Sequence, residues 1–483
     1  MNRSSQKLIP SILQRVMIIV LLAWPASAAL SQAAEPSIDA FLEAAAANRR
    51  QATAAQAEIA AAWRDGYAAM LIDLLDVVQR TRDTNPRTFM PPERLAEFLE
   101  TQTGQALGAD VERWREWAWS LPYAPHPQYD EFKGRLYALL DPRFVVFFRG
   151  EVEPKIRLDE IGWGGVSING IPPLHHPKHV PAAEATYLED DNIVFGFYLD
   201  GEARAYPKRI LAWHELALDR VGEREIAIVY CTLCGTVIPF DARVGGRELT
   251  FGTSGLLYRS NKLMFDHETA SLWSSLTGEP VVGPIVALNL KMSVLPVVTT
   301  TWSEWRTRHP DTLVLSLETG FERDYSEGAA YRAYFATDEL MFGVSQRDGR
   351  LPNKAEVFVL RSTVLPDSAP AALADAPPFA ISTRLLSERP VFHADVGGTS
   401  IVVITSAAGA SRAYASGDHR FSATDGGENV QDEQGRRWVA GEDFLGAAFD
   451  STVRLPRIAG HRAFWFGWFA QFPDTVLVDS AQE

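Results

Sequence analysis

Residues 226–235 read Ile226-Ala227-Ile228-Val229-Tyr230-Cys231-Thr232-Leu233-Cys234-Gly235, and they hold the only two cysteines in 483 residues. The first four residues are apolar and mostly β-branched, which predicts a short buried strand. Gly235 predicts a turn directly after that strand. The sequence therefore places a Cys-x-x-Cys pair where a strand gives way to a turn. Such a pair can form a disulfide, bind a metal ion or cycle between redox states.

Composition limits the class of protein. A chain of this length is too long for one hydrophobic core, so two or three domains are expected. Hydrophobic residues at 46% and charged residues at 22% are ordinary for a folded soluble protein. The formal net charge of −15 argues against a nucleic-acid partner, because a phosphate backbone requires clustered lysine and arginine.

The first 34 residues have the pattern of a secretory signal peptide. Basic residues up to Arg15 precede a short apolar run at residues 16–24, and Ala26-Ser27-Ala28 supplies a cleavage motif. The run is shorter than the roughly 20 residues that a membrane-spanning helix needs. We therefore expect cleavage, no integral membrane span afterwards, and a periplasmic or secreted protein; an uncleaved anchor is the alternative. Export would place both cysteines in an oxidising compartment.

The sequence after the signal peptide divides into two regions that differ in composition and in hydrophobic pattern. Residues 35–150 predict a helical N-terminal domain, with a first helix over residues 41–82 from the spacing of its apolar residues. From residue 151 onward, glycine, proline and β-branched residues with a period of two predict strands. The predicted fold class is α+β, a helical N-terminal domain followed by a β-rich body.

The β-rich body contains an internal duplication. The matching strings are Gly278-Glu279, Trp302, Trp305 and Pro310-Asp311-Thr312 in the first copy and Gly441-Glu442, Trp465, Trp468 and Pro473-Asp474-Thr475 in the second. Every pair differs by 163 positions (441 − 278, 465 − 302, 473 − 310). This constant offset predicts two copies of one unit, at residues 151–340 and 341–483, packed as a pseudo-dimer.

Only one copy carries the thiols. The strand at 226–229 matches the run at 401–404 at an offset of 175 (401 − 226). The same offset puts Ser406 opposite Cys231 and Gly409 opposite Cys234. If the cysteines merely braced the fold, a symmetric pair would be the simpler expectation, so we interpret the first copy as the active one.

Several strings in fixed order carry a family resemblance. They are Gly201-Glu202-Ala203-Arg204-Ala205-Tyr206-Pro207, Trp213-His214-Glu215, Tyr230-Cys231-Thr232-Leu233-Cys234-Gly235, Phe251-Gly252-Thr253-Ser254-Gly255-Leu256-Leu257, the string at 266–273, Thr277-Gly278-Glu279 and Thr300-Thr301-Trp302. Over roughly residues 156–477 the chain resembles the bacterial and archaeal family catalogued as domain of unknown function 3179. The resemblance implies an exported protein with a Cys-x-x-Cys site and brings no established reaction. Thr232 stands where the family usually shows proline.

Metal binding is one reading of the thiol pair. Two thiolates can chelate copper or zinc, but either ion wants further ligands. His214 is the candidate third ligand beside Cys231 and Cys234, because its string lies just before the thiol strand and is absent from the second copy. The alternative for His214 is a buried histidine satisfied by hydrogen bonds. A four-cysteine zinc ribbon is excluded, since no second Cys-x-x-Cys exists.

Thiol-redox chemistry is the second reading, and it needs one thiol with a lowered pKa. The residues after Gly235 predict extended chain, which counts against a thioredoxin-like architecture. Polar residues of the resembling strings are candidates for a pocket beside the thiols: Arg204, Ser254, Asn261, Asp266 and His267. The sequence thus predicts an exported metal-binding or thiol-redox protein. The alternative is a binding or scaffold protein with a structural disulfide and no catalysis.

Overall fold

Helices come first along the chain and strands follow. The structure is a computed structural model that describes residues 34–83, 87–360, 373, 376–424 and 429–480. All of the predicted signal peptide except its last residue lies outside these residues. From Pro36 onward the described residues form one compact unit. Within the described ranges, no helix has both the length and the apolar character needed to cross a membrane.

The N-terminal region is helical, as predicted. Its helices are α1 (Ile38–Glu43), α2 (Arg49–Ala61), α3 (Ala68–Thr81), α4 (Pro92–Thr103), α5 (Val111–Trp119) and α6 (Tyr129–Tyr137). The single helix expected over 41–82 is therefore three helices. One break falls at Gly66, where a Cβ would lie 1.9 Å from the carbonyl oxygen of Ala124, so the close approach of two chain segments requires glycine there.

Helix α3 is the centre of this region, and nearly all of its residues are buried. Even its carboxylates are enclosed. Asp73 accepts hydrogen bonds from Lys133 Nζ at 2.6 Å and Tyr129 Oη at 2.7 Å, and Asp76 pairs with Arg115 at 2.9 Å. Because buried charges are costly unless they are paired, these bonds fix how α5 and α6 dock on α3.

The body is rich in short strands. They are β1 (Ile161–Trp163), β2 (Leu174–His175), β3 (His179–Pro181), β4 (Ile193–Leu199), β5 (Glu202–Pro207), β6 (Leu216–Val221), β7 (Arg224–Cys231), β8 (Thr236–Asp241), β9 (Arg243–Val244), β10 (Arg247–Glu248), β11 (Phe251–Tyr258), β12 (Asn261–Asp266), β13 (Leu272–Ser274), β14 (Pro280–Val282), β15 (Val298–Thr301), β16 (Leu313–Leu315), β17 (Glu356–Leu360), β18 (Phe379–Ser382), β19 (Val391–Val396), β20 (Thr399–Thr405), β21 (Ser411–Ala415), β22 (Phe421–Ala423), β23 (Asn429–Asp432), β24 (Arg437–Ala440), β25 (Phe444–Ala447), β26 (Arg454–Ile458), β27 (Gly460–Phe464) and β28 (Val476–Val478). The helices among them are α7 (Lys208–His214), α8 (Trp302–Arg308), α9 (Arg332–Phe335), α10 (Thr383–Glu388) and α11 (Trp465–Phe469). A helical N-terminal region followed by a β-rich body confirms the predicted fold class at that level.

The strands form several sheets. Their orders are β1-β11-β12-β13-β14, β15-β4-β5-β16-β3, β2-β6-β7-β8, β27-β17-β18-β28, β19-β20-β21-β26-β25-β24-β23-β22 and the small pair β10-β9. The N-terminal helices cover one face of the β1-β11-β12 sheet, where Phe147 meets Phe265 with ring centroids 5.3 Å apart. The thiol strand β7 lies between β6 and β8 in a separate sheet.

Two of these sheets share an order. In β15-β4-β5-β16 and in β27-β17-β18-β28 the first two pairings are antiparallel and the last is parallel. Thr301 pairs with Ile193 in one sheet and Phe464 pairs with Glu356 in the other, so both partners move by 163 positions (464 − 301, 356 − 193). In each sheet a helix follows the first strand, α8 in one and α11 in the other.

Two sets of three consecutive antiparallel strands show a similar correspondence in sequence position. Strands β6, β7 and β8 begin at residues 216, 224 and 236, and β19, β20 and β21 begin at 391, 399 and 411, each 175 positions later (391 − 216, 399 − 224, 411 − 236). A tryptophan–carboxylate bond also occurs twice. Trp273 Nε1 donates to Asp266 at 2.8 Å, and Trp438 Nε1 donates to Asp432 at 3.0 Å.

The bonds at Asp432 predict an acid-sensitive contribution to stability. Burial raises the pKa of Asp432, but hydrogen bonds from Trp438 and Arg436 outweigh burial and lower the pKa to about 2. A carboxyl group with a lowered pKa stabilises the fold above its ordinary pKa, and that stabilisation is lost as the pH falls towards the folded-state value. In the parent, the urea concentration at the unfolding midpoint should fall as the pH is lowered from about 4 to about 2. We expect this fall to be smaller in Asp432→Asn. Glu433→Gln, on an exposed side chain of the same turn, is the matched control and should leave that slope unchanged; equal slopes in both variants would contradict the assignment.

Candidate functional site: the Cys231–Cys234 turn

The two cysteines lie in the turn between β7 and β8, as the sequence predicts. Cys231 ends β7 and pairs with Thr236, the first residue of β8. The N–H of Cys234 donates to the carbonyl oxygen of Cys231 at 3.2 Å, which closes the turn. Gly235 leaves the turn with φ +62°, a conformation that glycine adopts without strain. Both thiols are free and buried, with Cys231 2% and Cys234 0% exposed.

Protein atoms enclose Cys234, which has no exposed surface. Its Sγ lies 3.4 Å from Asn261 Nδ2, which donates to it, and 3.4 Å from the carbonyl oxygen of Ser260. Ser275 holds Asn261 in place by donating to its Oδ1 at 2.7 Å. From helix α11, Gly467 packs so closely that a Cβ there would lie 2.9 Å from Cys234 Cβ and 3.1 Å from Sγ. Only glycine therefore leaves room for this sulfur.

The two thiols differ in acidity. Burial raises the pKa of both, and for Cys234 a hydrogen bond with Cys231 raises it further, well above the ordinary value. At Cys231, hydrogen bonds from the Cys234 thiol and from the backbone N–H groups of Lys262 and Cys234 outweigh burial and lower the pKa. Cys231 is therefore the group that becomes a thiolate, and Cys234 the one that keeps its proton.

A buried ion pair lies beside Cys231. Lys262 Nζ donates to the carbonyl oxygen of Glu215 and lies 3.7 Å from its Oε2, and the two side chains are 6% and 8% exposed. Tyr331 Oη donates to Glu215 Oε1 at 3.1 Å. Burial lowers the pKa of Lys262, although Glu215 and the Cys231 thiolate raise it, and burial likewise raises the pKa of Glu215. Burial thus disfavours the charged form of both groups.

The backbone conformation and a backbone hydrogen bond hold Glu215 beside the thiol turn. Glu215 follows directly after the last residue of α7 and caps the helix in the left-handed conformation, with φ +58°. Its carbonyl oxygen accepts the N–H of Tyr230 at 2.8 Å, next to the thiol turn. A positive φ at a glutamate is uncommon, and such conformations occur often at functional sites.

Two hollows adjoin the site. A small inner cavity of about 60 Å³ is lined mostly by apolar side chains, Leu233 among them. Two charged residues, Glu215 and Lys262, also line it. A wider cleft of about 400 Å³ opens beside it and is lined by Trp213 and Arg323 among others. Val166, Ile171 and Tyr331 line both hollows, so the inner cavity adjoins the cleft at these residues.

Aromatic residues between β16 and β17 cover the turn. Tyr334 Oη donates to the carbonyl oxygen of Leu233 at 2.8 Å, and Tyr331 reaches Glu215 from the same segment. Tyr334 and Val344 pack in one apolar cluster with both cysteines. The chain that joins the two sheet systems thus also shields the thiols from solvent.

Of the pocket residues predicted from sequence, Asn261 is the one that the structure brings to a thiol. Arg204 instead pairs with Glu202 at 2.8 Å, and Ser254 donates to the carbonyl oxygen of Leu263 at 2.5 Å. Asp266 accepts hydrogen bonds from Thr269 and Trp273, and His267 packs against Phe265 with the two ring planes tilted by 58°. These four side chains have structural partners of their own.

His214 is buried, and each ring nitrogen has a protein partner. Nδ1 lies 2.8 Å from the carbonyl oxygen of Pro172, and Nε2 lies 2.5 Å from Tyr325 Oη. Burial lowers the pKa of His214, which favours the neutral ring. Among the described residues, no three His, Cys, Asp or Glu side chains are grouped in a way that would hold a metal ion. The donors at the turn itself are therefore the two sulfurs.

Sequence reasoning did not select Lys262, Tyr331 and Gly467. The sequence does contain a signal for Lys262, because a single lysine directly precedes the apolar run Leu263-Met264-Phe265 at the start of β12. A charged residue in a strand that is buried throughout marks a position with a specific partner. Gly467 and Tyr331 carry no such signal, since their role depends on which distant segments meet.

Comparison with known families assigns the chain. A family described as "Protein of unknown function (DUF3179)" matches residues 168–475, which is more than half of the chain. The chain belongs to this family. No curated protein and no solved structure matches it. The DUF3179 region begins just before the inner cavity's Ile171 and ends after α11, so it contains both cysteines and Gly467.

A second turn within the DUF3179 region corresponds in position to the thiol turn. Between β20 and β21, the N–H of Gly409 donates to the carbonyl oxygen of Ser406 at 2.9 Å, as Cys234 does to Cys231. Ser406 Oγ donates at 2.5 Å to Glu304, a residue of α8. The second turn therefore lies against a carboxylate, where the first lies against Gly467.

Buried charges surround this second turn. Glu442 lies 2.8 Å from Arg412, 3.3 Å from Arg308 and 3.8 Å from Arg457, and its side chain is 7% exposed. Burial raises the pKa of Glu442, but the arginines, Arg412 above all, and His309 hold it well below its usual range. The second site is thus filled by ion pairs and has no thiol.

Proposed function

We propose that this DUF3179 protein is a thiol-redox protein whose reactive group is the Cys231–Cys234 pair, which cycles between dithiol and disulfide. The observation that carries the proposal is a pair of free, buried cysteines at the first and fourth positions of one closed turn, with the pKa of Cys231 lowered and that of Cys234 raised. A structural thiol needs no lowered pKa, whereas a redox thiol does. Nothing in this argument requires His214, whose role is to join Pro172 to Tyr325.

The turn geometry is compatible with both redox states. A β-turn holds the Cα atoms of its first and fourth residues within about 7 Å. Disulfides span Cα separations of about 4.4–6.8 Å. Cys231 and Cys234 are the first and fourth residues of a turn closed by a 3.2 Å hydrogen bond, so a disulfide can form with a small rearrangement of the turn.

The chemistry starts at Cys231. Its thiolate attacks an electrophilic acceptor, and the acceptor's leaving group departs with the electron pair of the broken bond. Cys234 then loses its proton and attacks Cys231 Sγ, so that the S–S bond forms and the bond to the acceptor breaks. In total the pair gives up two electrons and two protons, and a two-electron reductant restores the dithiol.

We also infer that the β-rich body is an internal duplication packed as a pseudo-dimer. The equal strand orders, the registers at an offset of 163 and the sets of three strands at an offset of 175 support this. Each turn lies against a helix of the other copy: Cys234 against Gly467 of α11, and Ser406 against Glu304 of α8. Gly467 and Glu304 are again 163 positions apart (467 − 304), so one active and one inactive site would face each other across the copies.

Metal binding is the second candidate function, and the two buried soft sulfurs favour copper(I) within it. Thiolates select Cu(I), which accepts few ligands. A structural zinc ion takes four protein ligands. The described residues group only the two sulfurs here, so the donor set fits zinc less well. We further propose that the protein acts in the periplasm or outside the cell, on the basis of the N-terminal sequence, and cell fractionation would test this.

The cysteine variants give the direct test. We expect the purified chain to show one two-electron transition in a dithiothreitol redox titration, followed by mass spectrometry of the peptide that holds both cysteines. Cys231→Ser and Cys234→Ser should each abolish the transition completely, because a single thiol cannot close the ring. Ser406→Ala alters the corresponding turn of the second copy and should leave the potential unchanged.

Metal content measured on the same samples separates the alternatives. A stoichiometric copper ion that both serine variants lose would replace the redox proposal with metal binding. A pair that stays disulfide-bonded at every accessible potential, with no metal, would indicate a structural brace in a binding or scaffold protein.

A further inference from the structure

We propose that Lys262 is the reactive group of a second site, where it captures a small, uncharged aldehyde or ketone as an imine in the inner cavity. This site goes beyond the redox function, because its reaction involves neither sulfur. Glu215 and Tyr331 complete it. Three observations carry the inference: Lys262 lines a cavity that adjoins the outer cleft, its ammonium group is incompletely bonded, and its neighbours hold strained backbone conformations.

The ammonium group of Lys262 is enclosed but has few acceptors. A lysine ammonium carries three N–H donors. Among the described residues, the carbonyl oxygen of Glu215 is the acceptor that Nζ bonds, and Glu215 Oε2 at 3.7 Å lies beyond ordinary hydrogen-bond length. Lys262 is only 5% exposed, so bulk solvent does not supply the missing acceptors. An acceptor atom in the cavity, which Lys262 lines, would satisfy the remaining donors.

Lys133 is a buried lysine whose partners are complete, and the comparison sets Lys262 apart. Lys133 Nζ lies 2.6 Å from Asp73 Oδ2 and 4.9 Å from the ring centroid of Tyr137, and its side chain is fully buried. Lys133 lines neither the inner cavity nor the outer cleft. Its ion pair docks one helix on another. The pair at Lys262 is longer and borders a hollow, as a ligand site requires and a structural ion pair does not.

The residues that hold Lys262 in place carry backbone strain. Glu215 has φ +58° and Tyr331 has φ +56°, and the tyrosine hydroxyl donates to the Glu215 carboxylate at 3.1 Å. Left-handed backbone conformations are unfavourable for residues with large side chains, and they cluster at active sites and ligand clamps. Here two such residues, joined by a hydrogen bond, line one cavity. The strain is thus concentrated where a ligand would contact Lys262.

The lining of the cavity determines the class of ligand. Most of the lining residues are apolar, among them Val166, Leu257 and Phe342, and they favour an apolar molecule. The donors left on Lys262 require an acceptor oxygen. Glu215 already supplies the negative charge beside Lys262, so it would repel a carboxylate ligand. An uncharged carbonyl compound meets all of these requirements.

The pair of charged groups supplies what imine formation needs. Burial lowers the pKa of Lys262 and raises that of Glu215, which favours the neutral amine and the neutral acid. After a proton passes from the ammonium to the carboxylate, the amine attacks the carbonyl carbon. The C–N bond forms, and the electron pair of the C=O bond moves to oxygen, which takes the proton released by nitrogen. Glu215 then protonates this hydroxyl group, water leaves and the C=N bond forms, so that one carbonyl compound and one ammonium give one protonated imine and one water.

Reductive trapping tests the inference on the full chain. The protein is incubated at about pH 7 with butanal and cyanoborohydride, which reduces imines to stable secondary amines, and the labelled lysines are located by mass spectrometry. We expect Lys262 to be labelled faster than Lys178, whose side chain is 70% exposed, by about tenfold or more, the effect of a pKa lower by about one unit. Lys133, the buried lysine with complete partners, should stay unlabelled.

A charged carbonyl compound tests the ligand class. With glyoxylate in place of butanal, the ratio of labelling at Lys262 to labelling at Lys178 should fall by about tenfold, because Glu215 opposes a second carboxylate. Using the ratio removes the difference in intrinsic reactivity between the two compounds.

A narrowed entrance tests the route. Val166 lines both the inner cavity and the outer cleft, so Val166→Phe should slow the labelling of Lys262 by about tenfold and leave Lys178 unchanged. Val152→Phe, the same substitution in a separate cleft near the N-terminal helices, is the matched control and should leave both rates unchanged.

The outcomes distinguish a reactive site from a structural ion pair. Labelling of Lys262 no faster than that of Lys178, equal rates in Val166→Phe and Val152→Phe, or an unchanged ratio with glyoxylate would each overturn the inference. The comparison among lysines of the parent protein keeps the test decisive if Val166→Phe fails to fold. None of these measurements depends on the thiols, so the redox proposal is tested separately.

Discussion

Replacing Glu442 with glutamine is expected to lower the free energy of unfolding by about 3–5 kcal/mol, the cost of removing one partner from a buried ion cluster. The substitution keeps the shape of the side chain and removes only its charge. Arg412 would keep Glu304, 3.3 Å away, as its other carboxylate, while Arg308 and Arg457 would lose the negative charge of Glu442. Because arginine does not release its proton in proteins, the cluster cannot relieve the excess positive charge by titration. Urea denaturation at neutral pH measures the effect.

Glu279→Gln is the matched control for Glu442→Gln. Glu279 lies 163 positions before Glu442 (442 − 279), but it is 32% exposed and pairs with a single lysine, Lys291, at 2.8 Å. Exposed ion pairs contribute up to about 1 kcal/mol, so this variant should unfold close to the parent. Similar losses in both variants would mean that the arginine cluster does not depend on Glu442.

Replacing Gly467 with alanine is expected to destabilise the fold by about 1–3 kcal/mol, the usual cost of overpacking a core. The new methyl group would lie 2.9 Å from Cys234 Cβ and 3.3 Å from its Cα, so the backbone of the turn must move. Alanine's better helix propensity offsets about 1 kcal/mol at most. Since Asn261 and Phe464 also hold Cys234, the turn has little freedom to adjust, and the potential of the thiol pair should shift as well. Urea denaturation and the redox titration measure the two effects.

A compensating exchange makes this prediction specific. Cys234→Gly combined with Gly467→Ala places the small residue on the turn and the larger one on the helix, as with Gly409 in the turn between β20 and β21 and Glu304 in α8. The double variant should recover most of the stability lost in Gly467→Ala. Gly162→Ala, in β1 with nothing within 4 Å of the added Cβ, is the neutral control and should stay within about 1 kcal/mol of the parent. Failure of the double variant to recover would contradict direct contact as the cause.

The sequence was sufficient to locate the thiol turn and the change from helices to strands. Local patterns determine both: the apolar run before Cys231 appears as the buried end of β7, and Gly235 takes the left-handed conformation that a turn requires. The helix expected over 41–82 shows the limit of periodicity. Its apolar spacing continues across Gly66, but contact with Ala124, far along the chain, breaks the helix there.

The surroundings of the thiols depended on tertiary contacts that no local pattern contains. His214 is close to Cys231 in sequence, yet its ring nitrogens face Pro172 and Tyr325. Asn261 was selected from sequence and does reach Cys234, because β12 brings residues 260–262 against the turn. Lys262, adjacent to it, is not predicted from sequence, because lysines are usually exposed, and its burial depends on its pairing with Glu215.

The tight enclosure of Cys234 has a consequence for chemical damage. Sulfur that gains two or three oxygen atoms becomes sulfinic or sulfonic acid, and both changes are irreversible without dedicated repair. Cys234 Sγ is bounded by Ser260, Asn261 and Gly467, so added oxygen atoms would have to displace a helix and a strand. The fold therefore protects the second thiol from overoxidation and leaves irreversible loss to Cys231, so that damaged molecules should all carry the lesion at one known atom.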